Sequence, residues 1–239
     1  MERKVIKVKR TVERNILEKG EGASSNGDGW LHQEVFVEEI FDQKVWGIIG
    51  EMSEKVFPSV NNFYKDSSLR QSNLEKYFNA LFWKRPSYMF IGEAPGVHGC
   101  ALTGIPFTSE RVIRDGITNH HFNGTRFMAE GHSYEGSASY FWQMINRMPK
   151  PPVLWNVFPL HPYKMVNGEM KNRAPKEAEK AWGQEILLKV LGLFPSIHII
   201  TVGNHARTTC EKLKIKTSGH IIHPAHHVNE FREQFRIFL

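Results

Sequence analysis

Four short stretches hold the side chains best suited to chemistry. Gly92-Glu93-Ala94-Pro95-Gly96 places one carboxylate among small residues, so that backbone N–H groups can come close to a ligand. Thr103-Gly104-Ile105-Pro106-Phe107 ends on an aromatic face, Trp155-Asn156-Val157 contains a carboxamide that can donate and accept at once, and His223-Pro224 presents an imidazole. If the four stretches meet in the fold, a carboxylate, a carboxamide, an imidazole and an aromatic ring converge on one place. Taken singly, each also has a structural reading: a Gly/Pro turn, a core phenylalanine, a buried asparagine that ties loops together, and a histidine in a turn.

What would bring them together is their position at the ends of apolar runs. Tyr88-Met89-Phe90-Ile91 leads into the first motif, Val153 to Val157, which holds Asn156, into Phe158-Pro159, Ile197 to Val202 into Gly203-Asn204, and His220-Ile221-Ile222 into His223. Helical spacing of apolar residues predicts helices over Glu34–Ile49, Gln71–Lys84, Ser139–Met148, a stretch starting near Pro175, and His205–Leu213. Strands alternating with helices predict an α/β fold, a three-layer α/β/α sandwich around a short, mainly parallel sheet. Parallel strands deliver their C-terminal exits to one edge, which is where ligands bind in such sheets.

The 239 residues are 41% hydrophobic, with 12% aromatics, enough to build a core. Two cysteines, Cys100 and Cys210, provide no disulfide framework and too few thiolates for an iron-sulfur cluster. No apolar run is long enough to span a bilayer, and the basic start lacks an apolar leader, so the expectation is a cytoplasmic protein without a membrane partner. The formal charge is +6, but Met1 to Gly20 alone holds seven Lys or Arg against three Glu. Basic composition of the remainder therefore carries no nucleic-acid argument by itself. Residues 1–29 read as a basic, Gly/Ser-rich disordered tail, and 30–239 as a single domain.

In this order and at strand ends, Gly92-Glu93-Ala94-Pro95-Gly96, Trp155-Asn156-Val157 and His223-Pro224-Ala225 resemble the motifs of the uracil-DNA glycosylase superfamily, over roughly Tyr88 to Asn229. The first motif is similar to the thermophilic, iron-sulfur branch, as is Asn172-Arg173-Ala174-Pro175. Ala101 to Phe107 is more like the single-strand-selective monofunctional branch. The resemblance implies a monomeric, cofactor-free DNA repair glycosylase that flips a uracil or related base out of DNA, hydrolyses its N-glycosidic bond and leaves an abasic site. By the same resemblance His223 donates to the departing base, Asn156 reads it, Phe107 stacks on it, and Gly92, Ala94, Pro95 and Gly96 shape its pocket.

Glu93 takes the water-holding role because the thermophilic branch carries Glu there, although other branches place Asp or Asn where this chain has Ala94. Gly96 leaves room where other branches carry a bulky Tyr, unless another side chain fills it. Pro224, Ala225, His226, His227, Val228 and Asn229 resemble the loop that enters DNA beside the flipped nucleotide, with histidines in place of an apolar wedge. Lys164, Lys171 and Arg173 are candidates for phosphate contacts, with a solvated charged loop as the equal alternative. Competing readings are a metallohydrolase built on His220, His223, His226 and His227, a catalytically weak or inactive DNA-binding module, and a glycosylase for hypoxanthine or another damaged base.

Overall fold

Met89, Phe90 and Ile91 are fully buried although successive side chains of a strand point to opposite faces, so their strand must be covered on both sides. The structure, a computed structural model, describes residues 28–225 and 227–239, with side chains from residue 37 onward. In chain order the elements are α1 (Asp28–Glu54), β1 (Val60–Asn61), α2 (Ser68–Lys84), β2 (Tyr88–Gly92), the short helices α3 (Cys100–Thr103), α4 (Glu110–Arg114) and α5 (Asn119–Phe122), then α6 (Gly136–Ile145) and β3 (Val153–Asn156). These are followed by β4 (His161–Val166), β5 (Glu169–Asn172), α7 (Glu177–Leu193), β6 (His198–Val202), α8 (Asn204–Lys212), β7 (Gly219–Ile221), α9 (Val228–Phe235) and a closing 3-10 turn, Arg236–Phe238. Residues 1–40 and 41–239 form separate units, and of the first only the opening of α1 is described. The tail expected over 1–29 thus lies, apart from Asp28 and Gly29, outside the described residues.

Four strands pair in parallel, in the order β3-β2-β6-β7, which is the α/β architecture expected. On one face Phe90 packs against Phe141 of α6 and stacks on Phe235 of α9, with ring centroids 5.5 and 5.0 Å apart. On the other face Trp155 meets Phe78 of α2, and Phe78 meets Phe194 at the end of α7. These aromatic contacts hold the three layers together, and each buried ring removes a large apolar area from water. α2 starts at an N-cap, Ser67, whose hydroxyl accepts from Arg70 N–H, and stops at Arg85, in the left-handed conformation ahead of Pro86. α1 runs longer than predicted, to Glu54, because Met52 extends its buried stripe beyond Ile49.

Two features were not anticipated. A second, antiparallel sheet, β1-β4-β5, branches off after β3, and its β4–β5 turn is Asn167-Gly168, both at positive φ. That pair is a strong hairpin signal, here flanked by too few apolar residues to read as strands. α9 occupies the C-terminal stretch, anchored by fully buried Phe231 and Phe235. Val228 and Asn229, expected in a loop, form its first turn.

Arg173 corrects another expectation. Its guanidinium pairs both oxygens of buried Glu179 at 2.7 Å and also donates to the carbonyls of Tyr163, Ala174 and Ser59, which uses all five of its donors. Glu179 in turn accepts from Lys176 N–H at the start of α7. This arginine ties both ends of the β4–β5 hairpin to α7 and has no donor left for a phosphate. Lys171 pairs with Glu169 at the surface, 2.6 Å apart. No helix among the described residues is long and apolar enough to cross a membrane. Replacing Arg173 by Met should therefore cost about 3 kcal/mol in urea denaturation, because Glu179 is left buried and unpaired.

Candidate active site

The site begins at the last register pair of β2 and β3, Gly92 opposite Asn156. Beyond it Val157 N–H donates to Gly92 O at 2.9 Å and Phe158 N–H to Glu93 O at 3.0 Å, so the two exits stay joined after the strands end. Asn156 is buried, with its carboxamide against the backbone of Gly92. A methyl group on Gly92 would come within 2.7 Å of Asn156 Oδ1 and 2.5 Å of Phe107 Cζ. The glycine is required by this close approach of two side chains.

Phe107 sits at φ 53°, a left-handed conformation that costs a phenylalanine about 1–3 kcal/mol. Its surroundings hold it there. Thr103 Oγ1 donates to Thr108 O at 2.8 Å, Thr108 Oγ1 donates to Pro106 O and accepts from Trp142 Nε1, and Tyr64 donates to Gly104 O. The ring itself lies 4.7 Å from that of Phe141, tilted by 34°.

The opposite wall comes from β6 and β7. Gly203, at φ 81°, donates to Ile221 O and turns the chain from β6 into α8, with its α-carbon close to His223 Cβ. Ala225 N–H donates to His223 Nδ1 at 3.2 Å, so in the neutral ring the proton resides on Nε2 and that nitrogen is a donor. A cavity of about 440 Å³ is lined by Gly92, Glu93, Ala94, Phe107 and Asn156 on one side and by Gly203, Asn204, His205, His223, Ala225 and His227 on the other. A larger, more open depression of about 650 Å³, along Ser53–Glu54 and Lys65–Gln71, shares no residue with it.

The structure thus gathers Gly92, Glu93, Ala94, Phe107, Asn156, His223, Ala225 and His227 around one cavity, whereas Pro95, Gly96, Pro224, Val228 and Asn229 are not among its lining residues. His226 lies outside the described residues. Pro95 acts through its carbonyl, which accepts from Nδ1 of buried His161 at 2.8 Å. Burial pushes His161 below the ordinary imidazole range, and the bond to Pro95 only partly offsets this. His220 is a strand residue with Nδ1 3.0 Å from Thr201 Oγ1, and no cluster of three or more potential metal ligands occurs among the described residues.

Gly96 does not leave a void. A side chain there would run into the carboxyl of Glu135, which also lies against Gly99. The Glu135 carboxyl forms no hydrogen bond or ion pair among the described residues, and burial pushes it up to about 7. Neither Glu135 nor His205 was singled out from sequence. Glu135 lies in a polar segment far from any motif, and His205 was counted only as the start of a helix.

The sequence model of the uracil DNA glycosylase superfamily matches residues 81–238. The chain belongs to that superfamily. It is a DNA glycosylase with DNA as its partner, and its cavity lies outside the carboxyl ends of parallel strands, where open α/β sheets bind ligands. Among solved structures, the wild-type SMUG2 of Pedobacter heparinus is similar, with a TM-score of 0.61 at 20% identity over 83% of this chain and 93% of that one. That likeness shows the glycosylase fold. No curated protein matches the chain in sequence.

Glu135 generates a stability prediction for this glycosylase. A carboxyl near 7 in the folded protein and near 4.3 in the unfolded chain makes the unfolded chain lose its proton first, so stability falls as pH rises from about 4 to about 7. Glu135→Gln removes that loss. Its stability relative to the parent should grow by about 3 kcal/mol between pH 4 and pH 8 in urea denaturation. A pH-independent difference would mean that the carboxyl is solvated.

Proposed function

We propose that the protein is a monofunctional uracil-DNA glycosylase, acting as a cytoplasmic monomer, with residues 1–29 as a basic appendage. The observation that carries this reading is the meeting of Asn156, Phe107 and Gly92 at one wall of a cavity whose other wall holds His223. A uracil turned out of its strand stacks on Phe107. The Asn156 amide donates to O4 and accepts from N3–H, while cytosine, with a donor at C4 and a bare N3, reverses both demands. His223 Nε2–H donates to O2 as negative charge builds on the leaving base.

In the hydrolysis the C1′–N1 electron pair departs with uracil and a water oxygen bonds to C1′. The water's proton passes to the Glu93 carboxylate. Burial raises Glu93 above the ordinary carboxylate range, with His205 and Lys180 pulling it back down, which makes the carboxylate a stronger base toward that proton. No lysine lines the cavity among the described residues, which supports base release without a Schiff base or strand cleavage. The two buried, unpaired cysteines suit a reducing compartment. Histidine in place of an apolar wedge favours single strands and mismatches, where flipping costs least.

His223→Ala should lower single-turnover uracil release about 10²- to 10³-fold, the cost of one donor to developing charge. Asn156→Asp should gain cytosine release at acidic pH, where a protonated carboxyl donates to N3 and accepts from the amino group. Both are read as alkali-labile abasic sites in single- and double-stranded oligonucleotides containing uracil, hydroxymethyluracil, hypoxanthine, cytosine or a thymine mismatch. If the parent binds uracil-containing DNA without turnover, the lack of a polar group at Ala94 makes this an inactive, DNA-binding member of the superfamily. If both variants behave like the parent, the residues are misassigned.

A further inference from the structure

Glu93 Oε1 is sealed from solvent and has no hydrogen-bond donor among the described residues, an uncommon state for a carboxylate oxygen. His205 Nδ1 lies 3.6 Å from it. The two residues come from different strand exits, Glu93 following β2 and His205 following β6, and both line the cavity. We propose that His205 is a positioning residue for Glu93: its imidazole, set across the cavity wall, holds that carboxylate aimed at the water it must orient. The proposal rests on the glycosylase reading of this site and adds a residue to it.

The charges around Glu93 leave His205 as the group able to do this. Lys180 of α7 also lowers Glu93, but its ammonium is engaged by Glu177 at 3.2 Å. His223 and His227 line the same cavity from the loop after β7. His223 Nδ1 is committed to Ala225 N–H, and His227 Nδ1 lies 3.8 Å from Glu230. His205 is placed by the turn at Gly203, whose positive φ directs the chain from β6 into the first turn of α8.

The side chain of His205 is 74% exposed, so in the free protein water screens the pair and its contribution to stability is small. A nucleotide in the cavity displaces that water, and the same two groups then interact in a lower dielectric. His205 should therefore act on the pH dependence of base release and leave the fold alone. That separates it from a structural histidine.

The test is the single-turnover release of uracil from a single-stranded oligonucleotide between about pH 5 and pH 9, for the parent, His205→Gln, His205→Lys, Glu93→Gln and the Glu93→Gln/His205→Gln double variant. Without His205 Glu93 binds its proton more tightly, so the acidic limb of His205→Gln should move to higher pH by about one unit. The rate on that limb should fall about tenfold, with convergence on the parent at high pH. His205→Lys should restore the limb, the denaturation midpoint should not move, and His205→Gln should have no further effect in the Glu93→Gln background. Coincident profiles for parent and His205→Gln, or an effect that persists without the Glu93 carboxylate, overturn the proposal. If no variant releases uracil at any pH, the glycosylase reading fails separately. A 13C titration of the Glu93 carboxyl in parent and His205→Gln then decides, an upward displacement supporting the pair and superimposed curves overturning it.

Discussion

The site depends on one close approach: the Asn156 carboxamide and the Phe107 ring both lie against the α-carbon of Gly92. A β-carbon at that position would collide with both and push the amide and the ring apart. The parallel register of β2 and β3 ends on this pair, and two further backbone hydrogen bonds carry the pairing into the loops. The geometry of the pocket floor is therefore set by the sheet rather than by the flexibility of the loops above it. Residues held on rigid elements keep the sub-ångström placement that orientation effects require.

Around that floor the molecule keeps several polar groups where water hardly reaches. Glu93, Glu135 and His161 are each shifted by burial toward their neutral forms, and all three act on or around the loop that follows β2. His161 anchors the loop through Pro95 O, and Glu135 fills the space beside Gly96. Phe107 adds backbone strain, offset by the hydrogen bonds of Thr103, Thr108 and Trp142 and by the packing of Phe141. Strain and unpaired polar groups gathered in one place mark a region shaped by what it binds more than by its own stability.

The positive charge of the chain has a divided origin. Much of it lies in residues 1–20, and within the described part Arg173 is fully committed to Glu179 and three carbonyls. Lys164, by contrast, stays exposed on β4.

The sequence alone determined the parallel strands, the longer helices alternating with them and the motif residues at the sheet's edge, because each rests on local periodicity and on punctuation by Gly and Pro. Asn156, Phe107, Glu93 and His223 could be chosen from residue type and position. Tertiary structure decided the rest. Whether Gly96 opened a void or faced a carboxyl depended on Glu135, nearly forty residues away along the chain, and no local pattern encodes that contact. Arg173 looked like a phosphate ligand until the fold surrounded it with Glu179 and carbonyls, and Val228-Asn229 looked like loop until Phe231 and Phe235 found Phe90 and Phe141 to pack against. His205 became part of the site only when the turn after β6 set it beside Glu93. Long-range packing and burial assign such roles, and they act between residues whose separation along the chain carries no signal.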